Sequence, residues 1–162
     1  MSAAPVRLTV VQTHPVQYNA PWFRYVAANC PEIDLTVVYA ARPRPDQQGA
    51  GFDLSFEWDT PLLEGYRWTL VREGRDGDEF GTGRFRGLDV PEIGTAVADT
   101  RPDIVLVPGW HSVTFVRAIL SARRRGVPLL YRGDTHIAPG ATRWRRTAWH
   151  VKTRVVLGQY SG

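Results

Sequence analysis

The chain has 162 residues, 43% of them hydrophobic and 22% charged, a balance that suits one globular domain with a continuous core and excludes disorder of the whole. Its one cysteine, Cys30, excludes a disulfide framework and a cysteine-based zinc site within the chain. The formal net charge of +4 hides a split, with ten Lys/Arg against one acid in 112–162 and ten against fifteen in 1–111.

The N-terminus runs from Arg7 directly into a short apolar stretch, without the long hydrophobic segment of a secretory signal. No stretch of about 18 apolar residues exists to span a bilayer, so a cytosolic location is the default expectation. Four segments, 7–12, 34–39, 103–107 and 127–131, are short, rich in Val, Ile and Leu, and bounded by turn or charged residues. Parallel strands covered on both faces have this pattern. Between the first two, residues 18–29 read as a helix with Trp22, Phe23, Val26 and Ala27 on one stripe and Pro21 in its first turn. Residues 41–89 are rich in Gly and Pro and hold one convincing strand, 66–71, which reads as a loop-rich insertion whose tail, 73–83, is its most flexible part. Pro91 opens a helix that carries Ile93 and Val97 and ends at Arg101-Pro102. Ser112 is the expected N-cap of a further helix, with Val113, Val116, Ile119 and Leu120 inward and Gly126 closing it. Alternating strands and helices predict an α/β fold: a doubly wound, mostly parallel Rossmann-like sheet with helices on both faces, in one domain over 1–162.

In such a sheet ligands bind outside the carboxyl ends of the strands. Those positions are unusually polar here: Thr13, His14, Gln17 and Tyr18 follow the first strand, Trp110, His111 and Ser112 the 103–107 strand, and Arg132, Asp134 and His136 the 127–131 strand. Three of the four histidines thus fall on one predicted edge. Each residue also has a plainer reading. His14 before Pro15 fills a turn, Trp110 is either core or an aromatic platform for a sugar ring, Ser112 is a helix cap, and Arg132 and Asp134 pair across Gly133. His14, His111, His136 and Asp134 are metal-compatible types, but none has the tight helical spacing that makes a metal centre specific. The phosphate-binding fingerprints G-x-G-x-x-G and G-x-x-x-x-G-K-[ST] are missing after the first strand, and no G-x-S-x-G elbow is present.

Residues 141–155 place Trp144, Ala148, Val151 and Val155 on one helical face, with Trp149 among Arg143, Arg145, Arg146, Lys152 and Arg154. A tryptophan among cations suits a helix on anionic lipid headgroups, with Arg145, Arg146, Trp149 and Lys152 as the contact. The competing reading is a solvated basic face, or one matched to an acidic missing domain. Phosphate contacts and base stacking could use the same residues, but no nucleic-acid motif accompanies them, and nucleic acid is not expected as a partner.

The stretches His14-Pro15-Val16-Gln17-Tyr18, Pro21-Trp22-Phe23-Arg24, residues 56–66, Pro108-Gly109-Trp110 and Tyr131-Arg132-Gly133-Asp134 together resemble the N-terminal domain of GT-B type family 4 glycosyltransferases, over nearly the whole chain to about residue 150. The resemblance implies retaining transfer of a sugar from a nucleotide-sugar, as co-substrate, to an acceptor sugar or lipid-linked acceptor, with no cofactor and no required metal. It implies His111, Asp134 and His136 as catalytic residues, and His14, Gln17, Tyr18, Trp110 and Arg132 as substrate-binding ones. It further implies that the donor-binding C-terminal domain lies outside these 162 residues and that the chain is inactive alone; the expected location, cytoplasmic and peripheral on the inner face of the membrane, rests on the missing signal segment and on the basic 141–155 stretch. Thr13-His14-Pro15 stands where many family members have a Gly-rich turn, and Asp134 aligns near a family histidine. A non-catalytic Rossmann-like sugar- or nucleotide-binding module and a membrane-surface interaction protein are the alternative readings.

Overall fold

The computed structural model describes residues 4–45, 47, 61–81 and 83–132, with 154 and 158. Its elements run β1 (Val6–Gln12), α1 (Ala20–Asn29), β2 (Ile33–Arg42), β3 (Arg67–Glu73), α2 (Ile93–Asp99), β4 (Ile104–Val107), α3 (Val113–Arg124) and β5 (Leu129–Tyr131). The strands form one sheet of order β3-β2-β1-β4-β5, and every neighbouring pair is parallel. This is an α/β Rossmann-like fold, as the strand and helix alternation predicts. The strand inside 41–89 pairs along β2 from Thr36↔Arg67 to Arg42↔Glu73, so it is an edge of this same sheet.

Alternation along the strands divides the apolar residues between two cores. Val10, Leu35, Val37, Tyr39 and Leu106 face α1, where they meet Phe23 and Val26. Their sequence neighbours Val11, Val38, Val105 and Val107 face α2 and α3, against Ile93, Val97, Phe115, Ala118, Ile119 and Ala122. Each fully buried large side chain contributes about 1.5–3 kcal/mol relative to exposure, so the sheet is held from both sides. At the β3 edge the Tyr39 and Tyr66 hydroxyls lie 2.7 Å apart. Tyr66 in turn donates to the carbonyl of Leu62.

Two helices bury stripes that match the expected ones only in part, with Phe23 and Val26 in α1 and Ile119 in α3 common to both. In α1, Ala20, Phe23 and Val26 are buried, while Trp22 is half-buried and Ala27 exposed. In α3 the buried residues are Thr114, Phe115, Ala118, Ile119, Ser121 and Ala122, and Leu120 is exposed. In α3 the hydroxyls explain the shift. Thr114 donates to the Leu88 carbonyl at 2.7 Å and accepts from the Val90 amide at 3.1 Å, and Ser121 donates to the Gly94 carbonyl at 2.8 Å. A buried hydroxyl with such partners avoids the desolvation penalty that would keep it outside.

The ends of α3 follow the sequence. Ser112 is extended and its side chain accepts from the Thr114 amide, and Gly126, at φ +69°, supplies the left-handed residue after the last turn. At the end of α2 that left-handed place is taken by Arg101, at φ +50°.

Candidate functional site

β1 is central and its connection leads through α1 to β2 on one side, whereas β4 leads through α3 to β5 on the other. α1 and α3 lie on opposite faces, so the carboxyl ends of β1 and β4 flank the point where the winding reverses. A crevice opens at such a switch point in sheets of this kind. The polar strand ends expected from sequence follow β1, β4 and β5, which are adjacent in the sheet.

At the end of β1 His14 is half-buried, with Nδ1 3.0 Å from the Thr13 hydroxyl and its ring edge-on to Phe80 at 5.2 Å. Burial pushes its pKa down from 6.5 to about 4, so the imidazole is neutral near pH 7 and offers one donor and one acceptor rather than a charge. Gln12, at the end of the strand, accepts from the Asn19 side chain at 3.2 Å, which ties β1 to the start of α1. Gln17 and Tyr18 are exposed on the loop between them, Tyr18 at 76%.

After β4, Trp110 is only 7% exposed and stacks on Tyr131 with centroids 5.3 Å apart and planes 23° from parallel. Its packing role therefore dominates over that of an open platform. The following residue, His111, is exposed and stands edge-on to Phe115 at 5.1 Å. A Cβ on Gly109 would meet its Nδ1 at 3.0 Å, so glycine leaves room for that ring. After β5, the Arg132 guanidinium carbon lies 5.1 Å from the centroid of Trp22, a cation–π contact that bridges the end of β5 to α1. Trp22 belongs to this edge and was not singled out as a site residue from sequence, because its spacing reads equally as core. The expected catalytic Asp134 and His136, and the expected membrane contacts Arg145, Arg146, Trp149 and Lys152, lie outside the described residues.

The first two amides of α3 are taken up by the protein itself: Val113 N–H donates to the Phe85 carbonyl at 2.8 Å and Thr114 N–H to the Ser112 hydroxyl, so neither is left for a phosphate of the kind bound at other helix starts. On α1, Ala20 N–H turns back to the Val16 carbonyl and Pro21 has no N–H. Anion recognition at this edge thus falls to side chains, with Arg132 the cation in place.

Beside the crevice the 74–88 segment is moored by Arg72 and Asp78, whose paired atoms lie 2.6 and 2.8 Å apart and whose side chains are each 10% exposed. Phe80, the residue on His14, belongs to that segment.

Among the described residues no group of three His, Cys, Asp or Glu is placed to hold a metal ion, and no helix is long and apolar enough to cross a membrane. Topology and edge define a Rossmann-like α/β protein with polar residues at the strand ends that flank its β1/β4 switch point. No family model matches the chain, and no curated protein matches it.

Proposed function

We propose that the chain is the acceptor-side half of a retaining glycosyltransferase, which transfers a sugar from a nucleotide-sugar to an acceptor sugar or lipid-linked acceptor once a donor-binding C-terminal domain completes the cleft. The observation that carries this reading is the adjacency of the β1, β4 and β5 carboxyl ends, which supplies neutral His14, exposed Tyr18 and His111, and the Arg132 guanidinium along one crevice. Hydroxyl-rich acceptors are recognised by neutral donors and acceptors together with aromatic faces, and His14, Gln17, Tyr18 and Trp22 are of these types. In this reading Arg132 offsets negative charge near the transferred group, and His111 with Asp134 and His136 serve the reacting centre. Trp110 holds the wall through Tyr131. Closure of the donor half excludes water and aligns donor with acceptor. The enzyme works in the cytoplasm, with the basic 141–155 segment against the inner face of an anionic membrane.

The test is to extend the chain with a matching donor-binding domain and follow nucleotide-sugar consumption. Turnover that falls by about a hundredfold or more in His111→Ala supports the assignment, an effect of the size that one positioned acid–base or electrostatic group contributes. Saturable sugar binding without turnover selects the binding-module reading instead. Turnover indifferent to His111, Arg132 and His14 together would remove the crevice from the mechanism.

A further inference from the structure

The outward face of α1 carries no charge. Its exposed residues are Pro21, Tyr25, Ala27, Ala28 and Asn29, with Tyr25 at 64% and Tyr18, just before the helix, at 76%. From Gln17 to Pro31 the one charged side chain is Arg24. Its guanidinium donates to the Pro61 carbonyl at 2.6 Å, and a Cβ on Gly65 would meet its Cγ at 3.0 Å, so the side chain lies against 61–65 rather than across the face. α3 is the contrast: of its exposed residues Arg117, Leu120, Arg123 and Arg124, three are cations. A helix that buries one stripe ordinarily carries charge on the other, and an exposed patch of aromatic and small residues without it marks a contact surface. Aromatic residues with few Lys, Asp or Glu are the composition found at the centre of protein interfaces.

The face itself separates the kinds of partner that could cover it. An anionic bilayer seats a helix through cations beside its apolar residues, and α1 offers none on its outward face, while the nearby Arg132 is drawn onto the Trp22 ring. A partner closing over the carboxyl ends of the strands meets Tyr18, but α1 runs away from that edge and carries Tyr25 about 8 Å, and Asn29 about 14 Å, down its axis from Ala20. A second copy of this chain fits what remains. A twofold axis sets one patch against itself, so a charge near the axis faces its like and opposes pairing; α1 has no such charge. Ala27 and Ala28 let two helices approach closely, and Tyr25 brings a ring to bury with a hydroxyl free to bond across the axis.

We propose that the chain forms a twofold dimer through α1, packed against α1 of a second copy with Tyr25 near the axis. The two exposed tyrosine rings bring at most about 500 Å² per copy, against the roughly 800 Å² per partner of a standard stable interface. The dimer is therefore reversible, and its population rises with concentration. It stands whether or not the glycosyltransferase reading holds.

Sedimentation equilibrium of the 162-residue chain over a concentration series tests it. The weight-average mass should start at 18.2 kDa and climb toward twice that value, whereas Tyr25→Glu, which sets two carboxylates against each other, should stay at the monomer mass throughout. Tyr25→Lys alone should also stay monomeric, and an equal mixture of the two variants should regain the climb, because opposite charges then meet across the axis. Leu120→Glu, at an exposed apolar position on α3, is the control and should associate as the parent does. Circular dichroism and urea midpoints matching the parent show that each variant is folded. A parent mass fixed at the monomer value, association that survives Tyr25→Glu, equal loss in Leu120→Glu, or a mixture that fails to climb would each overturn the proposal. Binding of a monomeric chain to phosphatidylcholine vesicles, removed by Tyr25→Glu, would give the face to lipid and overturn it as well.

Discussion

The Arg72–Asp78 pair makes a prediction whose magnitude can be worked from its geometry. Asp78 accepts two bonds from the Arg72 guanidinium, at 2.6 and 2.8 Å, and a third from the Arg75 amide at 2.7 Å. Burial acts to raise its pKa, but the guanidinium and the amide outweigh burial and hold the carboxyl below its ordinary 3.8. Asp78→Ala leaves the Arg72 cation without its counter-ion in a place where only a tenth of the side chain meets water. Breaking a fully buried pair from one side costs about 3–5 kcal/mol, and this residual exposure sets the expectation at the low end, about 3 kcal/mol. Replacing both partners together, as Arg72→Met with Asp78→Leu, should stay within about 1 kcal/mol of the parent, because neither charge is then buried alone. Urea unfolding of the two single variants and the double variant measures the coupling directly. A second reading comes from His14: with the mooring gone Phe80 leaves the ring, and its pKa of about 4 should climb toward 6.5, visible in the imidazole proton shifts. If Asp78→Ala costs under about 1 kcal/mol, or the double variant costs as much as the two singles added, the pair is not the anchor described here.

His14 also sets a pH dependence. Its folded pKa of about 4 lies below the ordinary 6.5, so the unfolded chain binds the proton more readily. Stability should therefore be complete above pH 6.5 and decline as pH falls from 6.5 to about 4. The loss should reach about 2 kcal/mol once partial exposure of the ring is allowed for, and His14→Gln should flatten that limb of the stability curve. Thr114→Val deprives the Leu88 carbonyl and the Val90 amide of one shared partner and should destabilise by about 2 kcal/mol in denaturant unfolding. Gly94→Ala brings a Cβ to 2.9 Å from the Ser121 Cβ. The resulting separation of α2 from α3 should cost about 1–3 kcal/mol, against the roughly 1 kcal/mol that alanine gains over glycine in a helix, so calorimetry should find no stabilisation.

The strands were legible because they are short apolar runs with charged borders, and the polar edge because each run is followed by His, Trp or Arg. Pairing was not legible: nothing within 66–71 says that it lies beside β2, since that depends on residues about thirty positions earlier. β2 itself extends to Arg42, past the expected end at 39, because Ala41 and Arg42 find partners in Arg72 and Glu73. The face of α3 was misread for a chemical reason, as hydropathy cannot know that the carbonyls of Leu88 and Gly94 will satisfy Thr114 and Ser121. At the site, Arg132 over Trp22 joins residues far apart in sequence, and the neutral state of His14 depends on burial that its neighbours in sequence do not announce.

The central place of β1 bears on how the chain folds as it is made. Residues 6–42 supply the central strand, its neighbour β2 and the helix that covers one of their faces, so this stretch carries a local, low-separation nucleus made before the remaining strands. β3 then joins the open side of β2, and β4 followed by β5 the open side of β1. Each new strand finds its partner already synthesised, and the sheet can widen outward in step with translation.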